Sequence, residues 1–137
     1  RYLFIFVVTG AAGFLASSLF GNVSVGASGS LLGLVGALIA VTSNRQSAGA
    51  RMLRSQLISW VVSIAVLGFF MPVVDNWAHG GGFVAGYLLG RVIPDRQPAD
   101  PAERRTADLM GWAAALAVAA SFIFMVINYF AMGRIIG

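Results

Sequence analysis

Apolar residues fill most of the chain in five blocks, broken by short interruptions where arginine, proline and polar side chains collect. The blocks run from Tyr2 to Phe20, about Val25 to Val41, about Leu57 to Val74, Trp77 to about Ile93, and Leu109 to about Met132. Each is close to the roughly 20 residues that a helix rising 1.5 Å per residue needs to cross a bilayer. Two blocks are unusual. In the second, nine of 17 residues are Gly, Ala or Ser, and the fourth carries five glycines before Arg91, which has to snorkel. The pattern predicts an all-α, polytopic membrane helix bundle with five transmembrane helices.

Composition sharpens this. Of 137 residues, 58% are hydrophobic and 10% charged, against about 25% charged in ordinary soluble domains. A water-soluble domain of this size has no means of hiding so much apolar surface, so lipid is the expected solvent. There is no cysteine, which removes disulfides, thiol nucleophiles and thiolate metal sites. One histidine and five acids, four of them between positions 95 and 108, give no basis for a metal centre, and no cofactor is expected. Position 1 is Arg directly against an apolar run, without the features of a signal peptide. This points to a fragment of a longer protein.

All the positive charge is arginine, and its distribution predicts orientation. With the first helix starting in the cytoplasm, Arg1, Arg45, Arg51, Arg54, Arg91, Arg96, Arg104 and Arg105 all lie inside, and only Arg134 lies outside. The outer loops, 21–24 and 73–76, then hold no charge except Asp75. This is the positive-inside bias of membrane proteins and not a nucleic-acid surface. Residues 94–108, with Pro94, Pro98 and Pro101 among charged residues, read as a solvated, partly extended linker. They divide a four-helix unit, residues 1–93, from the last helix, 109–132.

Topology has a chemical consequence. The second and fourth helices both run from outside to inside, so Ser28 and His79, 51 residues apart, lie near the start of each at similar depth. Gly29, Gly33 and Ala37 form one ridge of small residues at four-residue spacing, and Gly82, Gly86 and Gly90 form another. Such ridges let helix backbones approach closely in lipid. A serine hydroxyl beside a neutral imidazole is an activated nucleophile, and amides at a helix N-terminus suit an oxyanion. No third triad member is evident; Asp75 or Asn76 is better read as the N-cap of the fourth helix. Taken singly, Ser28 reads as a helix-interface or capping residue, whereas a lone membrane histidine is a functional candidate by default, with a hydrogen-bonded packing histidine as its competitor. Ser24 and Ser30 read as loop and packing residues.

The stretch Gly26-Ala27-Ser28-Gly29 resembles the GxSG nucleophile motif of the rhomboid family of intramembrane serine proteases. Ala78-His79-Gly80-Gly81-Gly82-Phe83-Val84-Ala85-Gly86 resembles the family's AHxxGxxxG motif. The resemblance covers about residues 1–93 and implies the third to sixth helices of a six-helix core, with the last helix an added seventh. It implies Ser28 as nucleophile, His79 as general base, and Gly26, Gly29, Gly33, Gly82 and Gly86 as motif and packing positions. It also implies proteolysis of transmembrane substrates without metal or organic cofactor. Two features depart from the family. Its HxxxN motif, an oxyanion-hole contributor, has no counterpart here, so the fragment alone is expected to be inactive. Its frequent aromatic four residues after the nucleophile is Leu32 here. In the family, the third helix of this chain and the loop after it form the substrate gate, although Phe69, Phe70 and Met71 read first as lipid-facing. The competing readings are an inactive rhomboid-like scaffold for membrane helices and half of a transporter; the latter lacks the expected intramembrane charge. Arginine in place of every lysine suggests a GC-rich coding sequence, hence a bacterial inner membrane.

Overall fold

The computed structural model describes residues 1–20, 27–71, 74–93 and 100–136, with side chains as far as Tyr129. They form five α-helices: α1 (Tyr2–Leu19), α2 (Ser28–Ser43), α3 (Ala48–Phe70), α4 (Asn76–Val92) and α5 (Pro101–Ile136). Three segments, Tyr2–Leu19, Ala48–Phe70 and Pro101–Tyr129, are long and apolar enough to cross a membrane. The other two helices, α2 with 16 residues and α4 with 17, are shorter. At 1.5 Å per residue they extend only about 24 to 26 Å, below the roughly 30 Å of a hydrocarbon core. They are also the most enclosed pair: α2 and α4 share the most extensive contact in the fold, and α1 packs against both.

This central arrangement follows from small residues. The buried positions of α1 are Ile5, Thr9, Gly13 and Ser17, and those of α4 are Ala78, Gly82, Gly86 and Gly90, each set spaced by four. The two ridges expected on α2 and α4 do meet. A Cβ placed on Gly82 would lie 2.1 Å from the carbonyl oxygen of Gly29, on Gly86 1.8 Å from that of Gly33, and on Gly90 2.5 Å from that of Ala37. The helices therefore touch backbone to backbone, parallel and in register over more than two turns. On its other side α2 meets α1, where a Cβ on Gly33 would strike the side chain of Thr9. The Thr9 hydroxyl is bonded within its own helix to the Ile5 carbonyl at 2.7 Å, so a fully buried polar group is satisfied.

Several boundaries differ from the hydrophobic blocks. Ala27 is not helical, so α2 starts at Ser28, later than the Val25 expected. The third helix begins at Ala48 and not near Leu57. Ser47 caps it by accepting from the Ala50 amide at 3.2 Å, and the Ala-, Met- and Leu-containing segment that follows favours helix despite its arginines. Arg51 and Arg54 thus ride on a helix that emerges from the apolar zone, and Arg54 donates to the Thr42 carbonyl at the end of α2. The described end of the linker is also helical. Pro101 occupies the first helical position, where its missing amide proton costs nothing, and Asp100 accepts from the Glu103 amide at 2.7 Å. Residues 94–99 of that linker lie outside the described residues.

The periphery is sparse. In α3 only Ala50, Leu57 and Gly68 are buried; the helix lies mainly against α2 and only lightly against α4. Phe69, Phe70 and Met71 are exposed at its C-terminal end, as a lipid-facing reading requires. α5 packs on α1, where Ala114 is buried, and leaves Phe122, Ile123 and Phe124 exposed. An apolar exterior around a small-residue interior identifies a multi-pass membrane bundle.

Candidate active site

Ser28 is the first residue of α2, and the first intrahelical bond of that helix runs from the Leu31 amide to the Ala27 carbonyl at 3.0 Å. The amides of Ser28, Gly29 and Ser30 precede this ladder at the positive end of the helix dipole. Ser28 itself is exposed, whereas Gly29 and Ser30 beside it are buried. A Cβ on Gly10 would lie 2.2 Å from the Ser30 hydroxyl, so Ser30 faces α1 as a packing residue.

His79 stands in the first turn of α4. Asp75 caps that turn: one carboxylate oxygen accepts from the Trp77 amide at 3.1 Å and the Ala78 amide at 3.0 Å. The His79 amide donates to the Asp75 carbonyl at 3.1 Å. The turn is wedged between two helices, because a Cβ on Gly13 would lie 2.6 Å from the Ala78 carbonyl oxygen and one on Gly29 3.0 Å from the same atom. With α4 so placed, His79 Nε2 lies 2.8 Å from Ser28 Oγ.

The geometry brings together the two residues singled out as nucleophile and base, at hydrogen-bond distance across two helices. For Ser28 to donate, the neutral ring must hold its proton on Nδ1. That atom is buried and has no hydrogen-bond partner among the described residues. Asp75 does not complete a triad, since its carboxylate serves the helix cap and accepts a hydrogen bond from Ser17 Oγ. Gly29, Gly33, Gly82 and Gly86 lie on the α2–α4 contact that sets the distance. Gly26, like Asn22 and Ser24, falls outside the described residues. Leu32 is buried. Ser17 was not legible as part of this region; the only signal was its place at the end of the four-spaced stripe on α1.

The family described as the Rhomboid domain matches residues 1–96. RHOMBOID-like protein 1 of Arabidopsis thaliana is 38% identical over 92 residues, covering 65% of this chain and 24% of that protein. RHOMBOID-like protein 5 of the same plant is 38% identical over 100 residues, covering 65% of this chain and 30% of that protein. Rhomboid protease GluP of Bacillus subtilis (strain 168) is 32% identical over 94 residues, covering 68% of this chain and 18% of that protein. The chain spans less than a third of the length of each. These relatives are mainly from a plant, so they lend no support to the bacterial inner membrane suggested by arginine usage. No solved structure matches significantly. The match over residues 1–96, which include both helices of the Ser28–His79 contact, shows that this chain belongs to the rhomboid family.

Proposed function

We propose that this chain is part of an intramembrane serine endopeptidase that cleaves transmembrane protein substrates within the bilayer. The observation that carries the reading is the 2.8 Å contact between Ser28 Oγ and His79 Nε2 at the N-terminal ends of two closely docked helices. Ser28 Oγ attacks the carbonyl carbon of a substrate peptide bond while His79 Nε2 takes its proton. The developing oxyanion lies toward the amides at the start of α2. Collapse of the tetrahedral adduct breaks the C–N bond, and His79 returns the proton to the leaving amine. Water, deprotonated by His79, then hydrolyses the acyl-enzyme and restores Ser28. Residues 1–93 serve as the core portion and the last helix as an addition to it. In the orientation set by the arginines, the dyad sits toward the outer side of the membrane.

The test is Ser28→Ala in the full-length protein with a transmembrane reporter substrate. Loss of cleavage is expected, with His79→Ala comparably damaging; retained cleavage by Ser28→Ala sinks the reading. The competing scaffold reading draws on the unpartnered Nδ1 of His79, which no described group holds in a catalytic tautomer. Covalent labelling of Ser28 by a fluorophosphonate separates the two, because a scaffold has no activated nucleophile.

A further inference from the structure

We propose that Ser17 is a positioning residue for the dyad, acting through Asp75 to hold His79 in line with Ser28; this rests on the protease reading above. Ser17 is wholly buried in the last turn of α1, and its hydroxyl donates to Asp75 Oδ2. The other oxygen of that carboxylate holds the Trp77 and Ala78 amides, and the Asp75 carbonyl holds the amide of His79. A single residue therefore connects the end of α1 to the amides of Trp77, Ala78 and the candidate base itself. The first turn of a helix lacks intrahelical acceptors for its amides and frays unless capped. A capping carboxylate that loses one of its partners is less firmly held, and so is the turn it caps.

The first turn of α4 is held between α1 and α2. On one side Ala78 presses on Gly29, the neighbour of Ser28; on the other it presses on Gly13, one turn before Ser17 in α1. Apart from the stacked rings of Phe20 and Trp77, the residues that meet across α1 and this turn are small, and the hydrogen bond from Ser17 to the Asp75 carboxylate adds a directional restraint there. Hydrogen bonds to an ionised acceptor are the stronger kind, and more so away from water. Ser17 acts on the imidazole through Asp75. Its role is to fix where the imidazole stands.

The experiment uses the full-length protein in liposomes with a transmembrane reporter substrate. Turnover is expressed per active site counted by exhaustive fluorophosphonate labelling, which removes any loss due to unfolded molecules. Ser17→Ala is expected to lower kcat per site by roughly tenfold or more, since small misplacements of a catalytic group are costly, while KM stays within about twofold. Asp75→Ala should fall at least as far, and the double variant no further than Asp75→Ala alone, because one removes the partner of the other. Asp75→Asn keeps a capping oxygen and presents an amide that can donate to the Ser17 hydroxyl; it should recover most of the turnover lost in Asp75→Ala. Unchanged kcat per site in Ser17→Ala overturns the proposal. So do a loss confined to KM, losses that multiply in the double variant, and an Asp75→Asn as slow as Asp75→Ala. Absence of cleavage by the wild type, or its persistence in Ser28→Ala, instead removes the protease reading and this one with it.

Discussion

Replacing Gly86 with alanine tests whether the α2–α4 backbone contact sets the dyad. The added Cβ would lie 1.8 Å from the Gly33 carbonyl oxygen, 2.5 Å from its carbon and 2.7 Å from its Cα. All three are backbone atoms, so no side chain can swing aside. Reaching ordinary contact near 3.4 Å requires the helices to part by about 1.6 Å. His79 lies seven residues toward the N-terminal end of α4, about 10 Å along the helix. Even if the helices separate without tilting, the 2.8 Å Ser28–His79 distance grows to as much as about 4.4 Å, beyond hydrogen-bond reach. Overpacking costs about 1–3 kcal/mol, and the better helix propensity of alanine offsets roughly 1 kcal/mol of it. Stability should therefore fall by no more than about 2 kcal/mol, while turnover falls by about 100-fold. Cleavage of a transmembrane reporter and thermal unfolding in detergent give the two readouts. Gly80→Ala is the control, because a Cβ there meets no described atom within 4 Å. Near-wild-type turnover in Gly86→Ala would refute the claim that this contact fixes the site.

Two further outcomes follow from other parts of the fold. The Phe20 and Trp77 rings stack at 3.5 Å between centroids and 8° between planes, joining the C-terminal end of α1 to the N-terminal end of α4. Trp77→Ala should reduce unfolding free energy by about 1 kcal/mol and Trp77→Phe should restore most of it; equal stability of all three would show that the stack contributes nothing. Because the chain has no cysteine, single thiols report topology directly. Gly49→Cys and Glu103→Cys should react with a membrane-impermeant maleimide only after permeabilisation, and Val74→Cys in intact cells; the opposite pattern would reverse the orientation read from the arginines.

Much of the site was legible because its signals are local. Four-residue glycine spacing encodes a close helix contact in a way that does not depend on the rest of the chain, and Ser28 and His79 each sit beside such a ridge. Helix ends were less legible. Hydropathy marks where a segment meets lipid, whereas Ser47 and Asp100 start helices by hydrogen bonding in polar surroundings, so α3 and α5 begin earlier than their apolar blocks. The Ser17–Asp75 tie was invisible for a different reason. It joins residues 58 positions apart, and a serine on an apolar helix has no pattern that names its partner.

The in-register contact of α2 and α4 bears on how the site meets changes in the bilayer. Each carbonyl of Gly29, Gly33 and Ala37 sits in the hollow left by a missing side chain on α4. Sliding one helix along the other would lift every carbonyl out of its hollow at once. A thinner or thicker bilayer is usually met by tilting, kinking or shifting of individual helices. Here the pair has to tilt as one body, which moves Ser28 and His79 together and leaves their separation unchanged. Lipid composition then acts on the depth of the dyad and not on its geometry.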